Sequence, residues 1–182
     1  MNNNARAPDQ KELLLLKKRA AAVREIQRFL LRALCLFILL FILFHYVIGL
    51  LIVPGNDMYP RLDTGDLIVY YRLSQDYLNQ DVVCIRKLGT RYVSRIVGRP
   101  GDIIEVEDNA LRVNGNRIQE TGIFYSTPQY EGYVEYPLIL GEGEYFCLGD
   151  HREGAEDSRY FGAVDSLEIE GLVIMLIRRN GL

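Results

Sequence analysis

The sequence predicts an all-β folded barrel or sandwich carried behind one N-terminal transmembrane helix. Three observations predict it: an almost wholly apolar run over 33–53, a change of hydrophobic period after Pro54, and turn residues that divide 54–182 into short β-branched or aromatic segments. At the helical rise, 21 residues span ~31 Å, about one hydrocarbon core.

The 182 residues divide by charge as well as by hydropathy. Residues 1–32 carry a net charge of +5 and residues 33–182 a net charge of −8. An acidic body argues against nucleic acid as a partner. Lys17, Lys18, Arg19, Arg24, Arg28 and Arg32 crowd one side of the apolar run, and Asp57, Asp63 and Asp66 follow the other. The positive-inside rule then gives a cytoplasmic basic segment over 1–32, a plasma-membrane helix over 33–53 and an extracellular β-rich domain over 54–182. The run is longer than a signal-sequence core and no Ala-x-Ala-like site follows it, so it is read as a retained anchor. Residues 1–9 read as disordered. Lys11 to Leu31 can form a helix with basic and leucine-rich sectors, suited to an anionic lipid surface.

In the outer domain, strands are expected at Leu67–Arg72, Val82–Lys87, Tyr92–Val97, Ile103–Val106, Leu111–Val113, Tyr145–Leu148 and Leu172–Ile177. Asp108-Asn109 signals a hairpin and Asn114-Gly115 a further turn. No Cys-x-x-Cys spacing occurs, and no metal or cofactor is expected. Cys84 and Cys147 could form a disulfide outside the cell or remain as two buried thiols. Tyr125, Tyr130, Tyr133 and Tyr136 could form a contact patch or a mobile surface loop.

Three segments occur in order behind the anchor. The first runs Pro54-Gly55-Asn56-Asp57-Met58-Tyr59-Pro60, with Gly65-Asp66 after it. The second runs from Tyr92 to Asp102 and ends Gly98-Arg99-Pro100-Gly101-Asp102. The third runs from Gly149 to Gly162. Together they resemble the type I signal peptidase family in its compact Gram-positive form, over residues from about 33 to 178. The resemblance implies the fold of that family. It also implies a peptide groove along Gly55, Asn56, Asp57, Met58, Tyr59, Pro60, Tyr92 and Val93. Arg95, Gly149, Asp150, Asp157, Ser158 and Arg159 are implied as the scaffold around the site.

In that family a serine directly before Met-x-Pro is the nucleophile, and a lysine directly before an arginine is the general base. Here those positions hold Asp57 and Ser94, and a serine that orients the lysine is replaced by Ala155. A carboxylate cannot act as the hydroxyl nucleophile, nor a hydroxyl as the base. The resemblance therefore implies a signal-peptidase-like protein without the dyad. It would hold secreted or pilin precursors as an extended strand, in pilus assembly or secretion. A sortase or an active signal peptidase is an implied partner. A bulky charge placed at Gly55 or Met58 is expected to abolish pilus polymerisation while the fold survives.

Other chemistries stay open at this point. Asp57 and Ser94 could simply hydrogen-bond to each other. Ser94, His151 and Asp57 have the residue types of a triad. Asp57 could share a proton with Asp150 or Asp157. The alternative function is an active signal peptidase working through altered residues.

Overall fold

The structure, a computed structural model, describes residues 10–178. The expectation for 1–9 lies outside the described residues. The chain forms two units, divided between Phe44 and His45.

The first unit is one helix, α1 (Gln10–Ile42), continued by a wider π-turn over Leu43–Val47. Leu, Ala, Lys, Arg and Glu are good helix formers, so the basic segment and the apolar run form one helix without a break. The stretch Lys17–Val47 is long and apolar enough to cross a membrane.

The end of the apolar run differs from expectation. Helix was expected through Val53, but Ile48–Ile52 forms strand β1 of the second unit. Hydropathy cannot separate an apolar strand from the helix it follows. What decides is pairing: β1 lies antiparallel to β2 (Leu67–Tyr71), from Ile48 opposite Tyr71 to Ile52 opposite Leu67.

The remaining strands are β3 (Val82–Lys87), β4 (Thr90–Gly98), β5 (Ile103–Glu107), β6 (Ala110–Val113), β7 (Asn116–Arg117), β8 (Leu138–Ile139), β9 (Glu144–Leu148), β10 (Val164–Asp165) and β11 (Ile169–Ile177). A one-turn helix, α2 (Ser158–Phe161), lies between β9 and β10. The strands make two sheets, ordered β1-β2-β11-β3-β4-β9-β10 and β7-β6-β5-β8. This is the all-β architecture the sequence predicts, and all seven expected strands are present.

The long strand β4 serves three core clusters because alternate residues face opposite sides. Val93 joins Met58, Ile68, Tyr70 and Cys84. Ile96 joins Val83, Ile85, Tyr145 and Cys147 on the other side. Val97 joins Ile104, Leu111, Phe146 and Leu148. Full burial of each such side chain contributes about 1.5–3 kcal/mol. At Gly98 a Cβ would come within 2.5 Å of Ile104 Cδ1 and 3.1 Å of Phe146 Cβ, so glycine lets the second sheet pack here without displacing those side chains.

Cys84 and Cys147 lie in different clusters as unpaired buried thiols. Burial raises both thiol pKa values, to about 12 for Cys84. The tyrosine segment makes ring contacts within the domain. Tyr125 meets the His151 ring at 4.8 Å, Tyr133 meets Tyr160 at 4.3 Å, and Arg159 lies 4.4 Å from the Tyr130 ring centre.

Candidate functional site

The three sequence segments meet around Gly149. Gly149 directly follows β9, whose Leu148 pairs with Arg95 of β4, so Ser94 and Gly149 each stand one residue beyond the end of that ladder. A Cβ on Gly149 would meet Ala155 Cβ at 2.4 Å and the Asp57 carbonyl oxygen at 2.6 Å. Glycine here lets the Asp57 loop and the Ala155 loop close on the strand. The His151 N–H donates to the Asp57 carbonyl at 2.8 Å and locks that approach.

Asp57 is half-buried, and its carboxylate clasps two loops. Oδ1 accepts from the Glu156 N–H at 3.3 Å, while Oδ2 lies 3.3 Å from where a Gly55 Cβ would stand. Burial raises the Asp57 pKa, and repulsion from Asp157 and Glu156 adds to it. The Glu156 N–H opposes the shift.

Ser94 is 0% exposed, and its Oγ has no hydrogen-bond partner. Three readings of the site therefore do not form. There is no Asp57–Ser94 hydrogen bond. There is no triad either: Ser94 Oγ is unpartnered, and His151 Nδ1 is likewise buried without a partner. The His151 ring is instead held by Tyr125, with Tyr59 at 6.5 Å. Nor do Asp150 and Asp157 share a proton with Asp57. Asp150 takes a bidentate pair from Arg95, both contacts at 2.7 Å. Asp157 takes a bidentate pair from Arg159 at 2.9 and 2.7 Å and also accepts from the Gly149 N–H. Both carboxylates are occupied by guanidinium forks.

The residues expected as scaffold have defined roles. Arg95 also donates to the Gln80 carbonyl, tying β4 to the loop between β2 and β3. Ser158 Oγ accepts the Cys147 N–H at 2.9 Å. Asp157 caps α2 through the Arg159 N–H.

The expected groove divides by exposure. Asn56, Tyr59 and Pro60 are exposed, and Gly55, Asp57 and Tyr92 are half-buried. Met58 is 1% exposed and Val93 nearly as buried, both in one core cluster. Those two can offer a client only their backbone. A charge at Met58 would enter the core, so the expectation that the fold survives it is corrected.

The groove has a specific open edge. β4 pairs with β3 over Thr90–Arg95, but its pairing with β9 begins only at Arg95. Along Thr90–Ser94 the second edge of β4 has no strand partner among the described residues. The open edge ends at Ser94, beside Gly149 and the Asp57 loop. On its way it passes Tyr92, whose hydroxyl donates to Glu156 at 3.3 Å.

Sequence reasoning missed Arg152, which has no exposed surface. Its guanidinium pairs with Glu120 at 2.6 Å and donates to Thr127 Oγ1 at 3.0 Å and the Gly149 carbonyl at 2.8 Å. It braces the third segment against a loop 25–32 residues earlier, and no local pattern signals a pairing of that range. Arg61, also unassigned from sequence, donates to the Thr121 carbonyl at 2.8 Å.

A family profile described as "Signal peptidase, peptidase S26" matches residues 26–177. The chain belongs to this family. Among its relatives is signal peptidase IB of Staphylococcus aureus (strain COL), 29% identical over 168 residues, covering 82% of this chain and 88% of the relative. Another is signal peptidase I of Bacillus licheniformis, 29% identical over 132 residues, covering 66% of this chain and 71% of the relative. Among solved structures, a signal peptidase I from Enterococcus faecalis V583 aligns with a TM-score of 0.43 at 27% identity, covering 54% of this chain and 97% of that one.

Proposed function

We propose that this chain is a membrane-anchored signal-peptidase relative that holds a secreted or pilin precursor without cleaving it. In this reading it serves as an accessory of pilus assembly or secretion. One observation carries it. The open edge of β4 can accept an extended polypeptide, yet it leads to a carboxylate, a methyl group and an unpartnered buried hydroxyl. Strand addition uses backbone donors and acceptors, and the second edge of β4 over Thr90–Ser94 has no strand partner among the described residues. Cleavage needs a nucleophile held by a base. Ser94 Oγ touches no base, and the Asp57 carboxylate is engaged by a backbone N–H.

The anchor sets the geography of this reading. The basic helix stays at the cytoplasmic face of the plasma membrane, and the β domain stands outside, where exported chains emerge. A sortase or an active signal peptidase would then act on the client that the groove presents.

A second reading is favoured by the relatives, which are named signal peptidases. In it the chain cleaves precursors through altered residues. One experiment separates the two. Full-length protein is reconstituted in liposomes with a signal-bearing precursor, and both cleavage and photo-crosslinking from Tyr92 are followed. The proposal expects crosslinking without cleavage. It also expects cleavage to appear in the variant Asp57→Ser, Ser94→Lys, Ala155→Ser. Cleavage by the native chain that is lost in Ser94→Ala would establish the second reading instead.

A further inference from the structure

The open edge of β4 runs up to two carboxylates, Asp57 and Glu156. Asp57 is half-buried and Glu156 exposed. The Glu156 N–H donates to Asp57 Oδ1 at 3.3 Å, and the Tyr92 hydroxyl donates to Glu156 Oε2 at 3.3 Å. The contacts thus run from the edge strand to the Asp57 loop. Among the described residues, neither carboxylate forms an ion pair with a Lys or Arg. The guanidinium groups of the neighbouring segments are committed elsewhere: Arg95 to Asp150, Arg152 to Glu120 and Arg159 to Asp157.

A second observation lies on the same face of the strand. Alternate residues of a strand share a face, so Ser94 stands beside Tyr92 on the side that reaches Glu156. Val93 and Arg95 take the other side, toward Met58 and Asp150. Ser94 has no exposed surface, and its Oγ is without a hydrogen-bond partner. The Tyr92 ring forms the wall of this corner and leans on Phe161, with ring centres 5.2 Å apart. Burial raises the Tyr92 pKa, and the charges of Glu156 and Asp57 add to it, so the field of both carboxylates reaches this hydroxyl.

A polypeptide strand added along Thr90–Ser94 would cover this corner and strip water from the Asp57 carboxylate. A carboxylate that loses water without gaining a cation is strongly disfavoured. A positive side chain on the client removes that penalty. Its N–H groups can also serve the free Ser94 oxygen, and its charge can lie against the Tyr92 ring. An apolar side chain brings none of these.

We infer that the client held on the β4 edge is recognised by a lysine or arginine side chain, seated between Asp57, Glu156 and the Tyr92 ring. This inference rests on the precursor-holding function proposed above and adds the chemistry of the client. Strand side chains alternate, so one register places only every second client residue on this face. The basic residue must therefore stand at a defined position of the bound segment.

The test uses full-length protein in liposomes, with a photo-crosslinking amino acid at Thr90, an exposed position that leaves Tyr92 intact. The probe is a signal-bearing precursor whose segment after the apolar signal carries no charge. Single-lysine variants place lysine at each position of that segment in turn, and a glutamate series mirrors them. The inference expects crosslinking to rise roughly five- to tenfold for lysine at one position and to stay at the neutral level for lysine on either side of it. Glutamate at that position should lower it. In Asp57→Asn with Glu156→Gln the lysine and neutral precursors should crosslink equally, while Glu142→Gln, in the turn before β9, should keep the full difference. Equal yields at every lysine position, raised or not, overturn the inference and leave the holding function standing. A lysine preference that survives the double variant also overturns it. Absence of crosslinking for every precursor overturns the holding function and this inference together.

Discussion

Two serines in this protein have no exposed surface and opposite hydrogen-bond status, and together they test the reading of the site. Ser94 Oγ has no partner; Ser158 Oγ accepts the Cys147 N–H at 2.9 Å. A buried polar group left unsatisfied costs ~1–3 kcal/mol. Ser94→Ala removes that cost and retains the Cβ. The void it leaves is roughly the size of one oxygen, about 10 Å³, which at the measured cavity coefficient costs only about 0.2 kcal/mol. The net expectation is a gain of about 1–2 kcal/mol. For a unit of the size of His45–Leu182 each kcal/mol moves the melting midpoint by ~3–4 °C, so the midpoint should rise by roughly 3–8 °C. Ser158→Ala should do the reverse, because it strands a buried backbone N–H, and the midpoint should fall by a similar amount. The assay is thermal melting of the full-length protein in nanodiscs, followed by the β-sheet circular dichroism signal. A fall in the midpoint for Ser94→Ala would refute the reasoning. It would mean that Ser94 has a stabilising partner and that the site is a polar network rather than a remnant.

Three further outcomes follow from the same geometry. Asp150→Asn breaks the buried fork with Arg95, whose two side chains are 4% and 1% exposed, and should cost about 3–5 kcal/mol in chemical denaturation; Arg112→Ala, which loses a 3.7 Å contact with the largely exposed Glu107, should cost less than about 1 kcal/mol. Asp57→Asn keeps an acceptor for the Glu156 N–H but removes a charge that the fold disfavours. Because the folded pKa lies above the unfolded value, ionised Asp57 lowers stability progressively as pH rises from 3.8 through the folded pKa. The variant should therefore melt higher than the native chain at neutral pH, and the difference should vanish below pH 3.8; a variant that melts lower at neutral pH would contradict the assignment. Gly149→Ala forces a methyl against Ala155 and the Asp57 carbonyl, and should cost about 1–3 kcal/mol and weaken precursor crosslinking at Tyr92. Unchanged stability and crosslinking would show that the two loops do not close on β9 as described.

Much of the fold was legible because burial leaves a period in the sequence. Val83 and Ile85 face one core and Cys84 the other, and Asp108-Asn109 turns where two short strands must reverse. β1 was hidden because Ile48–Ile52 is as apolar as the helix before it, and composition records burial without recording the partner. The two-residue strands β7, β8 and β10 are too short to leave a period at all.

The site was legible as residue types and silent as contacts. The sequence by itself determined that Asp57, Ser94 and Ala155 stand where the resemblance expects serine, lysine and serine, because residue identity at a motif position needs no coordinates. It also determined the basic, apolar and acidic segments from which an orientation in a membrane is proposed. Only the tertiary structure decided that Ser94 is sealed and unpartnered, that Asp150 and Asp157 are committed to Arg95 and Arg159, and that β4 keeps an open edge up to Ser94. Each of those depends on groups 2 to 55 residues apart in sequence, and in most of them only the folding of distant strands brings the partners within hydrogen-bond reach.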